Sequence, residues 1–137
     1  MHRFVLRVRY GDTDRMGFAY YANYLRWFEI GRAEMLRSLG TSYREVEESG
    51  VALPVVEASC RYRKPARYDD EIVIETALAR LGRASVEFNY RVVREADDEL
   101  LATGRTEHCF LAADGRPARA PEALVALLER APRATEV

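Results

Sequence analysis

In GDTDRMGFAYYANY, residues 11 to 24, Asp12 and Asp14 sit two apart, Gly17 follows three positions on, and an aromatic run leads into a helical pattern. Three chemistries use carboxylates so placed. The first is calcium binding, since Asp12, Asp14 and Gly17 fall at the first, third and sixth positions of an EF-hand loop. That fit fails: Met16 takes the fifth ligand position, Asn23 stands where a bidentate glutamate is needed, and a strand pattern precedes the loop where a helix should. The second is plain turn-building, a common use of aspartate between a strand and a helix. The third is acyl transfer. A helix N-terminus offers free N–H groups and a partial positive charge that polarise a carbonyl oxygen as it gains charge, while a carboxylate on the preceding turn faces the carbon of the same group. Phe18, Tyr20 and Tyr21 would keep water from that space. Glu29 and Glu34, further along, are spaced to pair with Arg32 or Arg37 instead.

Composition closes most other routes. The 137 residues include two histidines, His2 near the start and His108 inside a late strand pattern, so a Ser-His-Asp or Cys-His pair or a zinc centre has little to be built from. His108 reads as a sheet residue. Neither GRASVEF nor GDTDRMG has the spacing of a phosphate-binding loop. Any enzyme built here would use a carboxylate as base or nucleophile, with no metal and no cofactor. Cys60 and Cys109 match no metal or redox spacing and are expected as small buried hydrophobes. Net charge is −1, from 21 basic and 22 acidic residues, which draws the chain neither to nucleic acid nor to an anionic membrane, so any anion site must be local. The apolar runs are far shorter than the roughly 20 residues that span a bilayer. MHRFVLRVRY alternates where a signal peptide needs a continuous apolar block. A cytoplasmic protein without membrane insertion is expected.

The elements that must hold the acidic turn follow from periodicity. Phe4, Leu6, Val8 and Tyr10 alternate with Val5, Arg7 and Arg9 and predict a strand with one buried face. From about Tyr20 to Leu39 the period changes: Tyr21, Tyr24, Leu25, Phe28, Gly31, Met35 and Leu39 mark one face of a long helix closed by Gly40. Gly31 lies within that stripe, where the missing side chain lets the backbone approach a packed surface. Ser42 and Glu45 have capping-box spacing for a short second helix. Runs at 55–62, 72–78, 84–92 and 101–111 alternate as strands, with hairpin turns at LGR and ADDE. Pro121 suits a first helical position, and Leu124, Leu127 and Leu128 give a short last helix its face. Length places all of residues 1–137 in one domain. The order of elements predicts an α+β domain, an antiparallel sheet wrapped around one long helix, whose uncovered edge strand invites pairing between subunits.

The stretch VRYGDTDRMGFAYYANYLRWFEIGRAEML, residues 8 to 36, resembles the signature of the hotdog-fold acyl-CoA thioesterases of the 4-hydroxybenzoyl-CoA thioesterase family, including its Tol-Pal-associated branch. The order of strand, long helix and four strands agrees with that fold over nearly the whole chain. The resemblance implies hydrolysis of an acyl-coenzyme A to free acid and CoA, with CoA part of the substrate rather than a cofactor. It makes Asp14 the catalytic carboxylate, as nucleophile or general base, and the backbone N–H of Tyr21 the carbonyl-polarising group. Asp12 becomes a supporting residue, and Gly17, Phe18 and Asn23 complete the matched motif. Some members carry a histidine where Tyr21 stands, so this chain is similar to those with an aromatic residue there.

Coenzyme A also carries phosphates, and CRYRKPARY, residues 60 to 68, is the densest basic stretch of the chain. Arg61 and Arg63, on one face of a strand, are expected to make a double contact to phosphate, with Lys64 beside them; charges that protect an edge strand are the alternative. The resemblance places the site between subunits of a homodimer or homotetramer, so these cations would serve the partner's Asp14. Two rivals share the fold: an acyl-thioester hydratase or dehydratase, for which only His108 is available, and a non-catalytic acyl-CoA binding or accessory protein.

Overall fold

A computed structural model describes residues 1–134. The elements are β1 (His2–Arg7), α1 (Asn23–Ser38), α2 (Tyr43–Glu48), β2 (Val51–Ala52), β3 (Val55–Tyr62), β4 (Glu71–Leu81), β5 (Ser85–Arg94), β6 (Glu99–Cys109), β7 (Leu111–Ala112) and α3 (Glu122–Glu129). Five strands form one antiparallel sheet in the order β1-β4-β5-β6-β3, and β2 with β7 makes a separate two-stranded ladder. The hairpins expected at LGR and ADDE join β4 to β5 and β5 to β6.

α1 lies on one face of this sheet and buries Tyr24, Trp27, Phe28, Gly31, Arg32, Met35 and Leu36. Two glycines set how closely it sits. A methyl group at Gly31 would stand 2.5 Å from Thr76 Oγ1 and 2.6 Å from Ile74 Cγ2, as the close approach predicted from sequence requires. Across the sheet, the absent side chain of Gly104 makes room for the Phe28 ring, which stacks on Tyr90 at 4.5 Å. Gly40 closes the helix with φ of +97°, a conformation that glycine adopts without strain. Ser42 caps α2 by accepting a hydrogen bond from the Glu45 N–H at 3.2 Å.

Several expectations are corrected. The helix begins at Asn23 rather than Tyr20, because residues 20 to 22 form a tighter turn in which Tyr20 and Tyr21 carbonyls accept from Asn23 and Tyr24 N–H groups. Tyr21 and Leu25, expected on the buried stripe, are exposed, and Trp27 and Arg32 take their place. Tyr10 has left the strand and is exposed in a 3-10 turn at Tyr10–Asp12. Arg32 does not pair with Glu29; it bonds to tyrosine hydroxyls, while Glu34 does pair with Arg37 at 2.7 Å. Pro121 caps α3 from just outside it. Cys60 and Cys109 are half-buried and unbridged. β4 is buried on both faces from Ile72 to Leu78, since Arg3 and Arg91 fold over its outer side to reach Glu75 at 2.7 Å and 3.3 Å. β3 shows no alternation: at the sheet edge, with β6 its one neighbour, nearly all of it is exposed.

Candidate active site

The turn between β1 and α1 is built by Asp12. Its carboxylate accepts from the Arg9 N–H at 2.9 Å and pairs with Arg26 at 2.9 Å, while its carbonyl accepts from the Tyr20 N–H at 2.7 Å and from Asn23 Nδ2 at 2.8 Å. Asn23 therefore anchors the helix start to the turn. Gly17, at φ of +81°, lets the chain reverse so that the Asp14 N–H donates to the Phe18 carbonyl at 2.8 Å. The loop is then fastened to the segment after β3, where the Ala19 N–H donates to the Ala66 carbonyl at 2.8 Å and the Arg67 guanidinium covers the Phe18 ring at 4.9 Å. Turn-building, one of the uses open in the sequence, is thus the role of Asp12.

Asp14 is placed differently. One of its oxygens accepts from the Met16 N–H at 2.9 Å, and no cation pairs with it among the described residues. It lines a cavity of about 280 Å³ at the mouth of α1, together with Met16, Phe18, Tyr21, Tyr24, Tyr62, Arg63 and Lys64. The same helix mouth lacks a side-chain cap at Ala22 and has no acid in its first turn, so its partial positive charge is left for whatever enters. The Tyr21 N–H has no hydrogen-bond partner among the described residues. Asp14, with a free carboxylate oxygen, and Tyr21, whose amide is unpaired among the described residues, thus line one partly apolar space. That combination can act on the two ends of a carbonyl.

Five of the expected residues, Asp14, Phe18, Tyr21, Arg63 and Lys64, meet at this cavity. Asp12, Gly17 and Asn23 lie behind it as the frame of the turn. Arg61 is not there: β3 ends at Tyr62, and Arg61 turns to the outer face of the sheet, where it lines a hollow of about 740 Å³ with Arg63, Arg91 and Arg105. Lys64 is engaged by Glu99 at 2.5 Å. Tyr20 and Tyr21 do not seal the space within one chain, since Tyr21 is 61% exposed and the two rings pack on each other at 4.6 Å. The walls are instead Phe18, Tyr24 and Tyr62, the last two in edge contact at 4.9 Å.

Sequence reasoning missed Tyr62, which carries no motif and reaches the site from the end of β3; Arg67, counted in the basic cluster of residues 60 to 68, covers the Phe18 ring. Burial pushes the Tyr24 phenol above the usual tyrosine range, and burial with the adjacent Cys60 thiol does the same to Tyr62. His108 is fully buried, with Nδ1 on the Leu53 carbonyl at 3.0 Å and Nε2 on Thr106 at 2.8 Å. Burial, then the Arg32 charge, push its pKa down to about 4. No group of three or more His, Cys, Asp or Glu among the described residues is placed to hold a metal ion, and no described helix is long and apolar enough to cross a membrane.

Residues 8–128 match the Thioesterase-like superfamily. A putative acyl-CoA thioesterase, YneP of Bacillus subtilis, is 36% identical over 68% of this chain and 67% of its own length. The acyl-CoA thioester hydrolase YbgC of Escherichia coli is 36% identical over 74% of this chain and 75% of its own. The crystal structure of the hypothetical protein TT1821 from Thermus thermophilus superimposes with a TM-score of 0.89 at 36% identity, covering 94% of this chain and 98% of that one. Sequence, element order and sheet topology agree: the chain belongs to the Thioesterase-like superfamily and is a thioesterase of hotdog fold.

Proposed function

We propose that the chain hydrolyses an acyl-coenzyme A, with Asp14 acting on the thioester carbon and the Tyr21 N–H polarising its oxygen. What carries this is the cavity at the mouth of α1, lined by Asp14, which keeps a free carboxylate oxygen, and by Tyr21, whose amide has no partner among the described residues. As a nucleophile, Asp14 forms an acyl-aspartyl anhydride and expels the CoA thiolate, and water then cleaves the anhydride. As a general base, it takes the proton of a water that attacks the same carbon, and the thiolate leaves with the electron pair of the C–S bond. Both routes need no group beyond the substrate and water. A single turnover in ¹⁸O-water tests for the anhydride, because its cleavage by water at the aspartyl carbonyl leaves label in the Asp14 carboxyl, which the general-base route never does.

Asp12 supports the turn, Phe18 walls the acyl site, and Arg63 at the cavity rim meets phosphate of the nucleotide. Arg61 lies outside the Asp14 cavity of its own chain, on the outer sheet face, which suits service to a second copy, while Lys64 lines that cavity and is paired to Glu99. That copy docks at β3, whose outer edge is unpaired and whose Val55 and Val56 are exposed. The enzyme is then one domain, working as a homodimer or homotetramer in the cytoplasm. The hydratase alternative lacks support, since His108, the imidazole it would use, is fully buried with both nitrogens engaged. The test is thiol release over a panel of acyl-CoAs by the native chain and by Asp14→Ala. Release by the native chain and loss in a folded variant is expected; full activity in the variant overturns the assignment, and binding with no release favours a non-catalytic binder.

A further inference from the structure

The carbonyl-polarising amide sits in a turn whose own helix does little to hold it. Residues 20 to 22 precede α1, the N-cap position is alanine, and the Tyr21 ring is mostly in solvent. On one side the turn is tied down by the Asp12 carbonyl, which takes the Tyr20 N–H at 2.7 Å and Asn23 Nδ2 at 2.8 Å. On the other side a tie comes from the sheet: the Tyr62 hydroxyl donates to the Tyr21 carbonyl at 3.0 Å. Tyr62 is the last residue of β3, and its ring is wedged edge-on against buried Tyr24 at 4.9 Å. The Tyr24 hydroxyl in turn accepts from the Ala66 N–H at 3.4 Å, next to the Ala66 carbonyl that receives the Ala19 N–H. Both tyrosines also line the cavity that holds Asp14.

We propose that Tyr62 is a positioning residue for the reaction: through its hydrogen bond to the Tyr21 carbonyl it sets the direction in which the turn at the mouth of α1 presents the Tyr21 N–H to the thioester oxygen. This rests on the acyl-transfer role given to Asp14 and Tyr21 above. The Tyr21 carbonyl also accepts from the Tyr24 N–H at 3.2 Å, a tight three-residue bond that the Tyr62 hydroxyl shares. Without the phenol only the Tyr24 N–H holds this carbonyl, and a tilt of its peptide is passed through the Tyr21 Cα to the adjoining peptide that carries the N–H. Such a displacement affects the transition state, where charge on the oxygen is greatest, far more than the bound substrate.

Tyr62→Phe keeps the ring contact with Tyr24 and removes only the donor. The expected result is a kcat roughly tenfold lower, the worth of one hydrogen bond, with KM changed by less than about twofold. Replacing Tyr62 alone by 3,5-difluorotyrosine, whose more acidic phenol is a stronger donor at pH 6, is expected to restore kcat. A non-hydrolysable ketone analogue of acetyl-CoA, bound to each form, gives a second readout: its carbonyl stretch should lie at higher frequency in Tyr62→Phe than in the native protein. A folded Tyr62→Phe with native kcat and native carbonyl frequency overturns the proposal, as does a loss confined to thermal stability or to KM. Asp14→Asn is run alongside. If it is inactive while Tyr62→Phe is unimpaired, only the role of Tyr62 fails; if it turns over normally, the role of Asp14 fails first.

Discussion

At the mouth of α1, Asp14 keeps a carboxylate oxygen without a partner among the described residues, whereas further along the same helix Arg32, Tyr43, Tyr90, Thr106 and His108 satisfy one another in the core. The Tyr90 hydroxyl takes a hydrogen bond from Arg32 at 3.0 Å and lies 2.6 Å from Thr106, which His108 meets at 2.8 Å. Arg32 is only 6% exposed and is met by hydroxyls rather than by a carboxylate. One helix therefore carries two polar clusters built to opposite rules. In the inner one every member is hydrogen-bonded to another and most are buried, so it specifies packing. The outer one leaves capacity free beside a cavity, which is what a reacting group requires. Residue type alone does not separate them, since imidazole and phenol belong to the inert cluster.

The largest effect expected from breaking this contrast is at Asp14. Asp14→Ala should lower kcat for thiol release by about 10²-fold or more, with a thermal midpoint near that of the native chain. Arg32→Ala should do the reverse. It empties part of the core and takes a donor from the Tyr43 and Tyr90 hydroxyls, at about 3 kcal/mol of stability in a denaturant titration, while kcat of the folded fraction stays native.

A third effect, of about 3 kcal/mol, follows from His108 and pH. Its folded pKa of about 4 lies below the ordinary value near 6.5, so between these values the unfolded chain binds the proton more readily. This contribution is complete above about pH 6.5 and is lost as pH falls toward 4. Titrations at pH 7 and pH 4.5 should show the loss, and His108→Gln should flatten it. The smallest effect is at the cavity rim. Arg63→Ala should raise KM for an acyl-CoA several-fold, about 1 kcal/mol, and leave KM for the matching acyl-pantetheine thioester unchanged.

Much of this was legible in the chain. The period of the apolar residues announced α1 and the strands, Gly31 announced a close approach, and the spacing of Asp12, Asp14 and Gly17 ahead of a helix marked the turn. The helix start was placed three residues early because aromatic residues keep the helical period through a turn that is not yet helix. Arg61 shares a face with Arg63, as alternate strand residues do, and both line the outer hollow; only Arg63, just past the end of β3, also reaches the Asp14 cavity. Arg32 was assigned to an ion pair because spacing along a helix says nothing of which hydroxyls stand opposite.

The sequence by itself determined the local terms: which segments are helix and strand, where glycine must be, and that a carboxylate lies just ahead of a helix. These are set by neighbours a few positions apart, through backbone geometry and side-chain period. Which tyrosine reaches back to the helix mouth was decided only when β3 crossed over to pair with β6 and brought Tyr62 beside Tyr21 and Tyr24. Those contacts join residues some 40 positions apart, so no local pattern records them, and the energy of an ionisable group depends on what the fold sets around it.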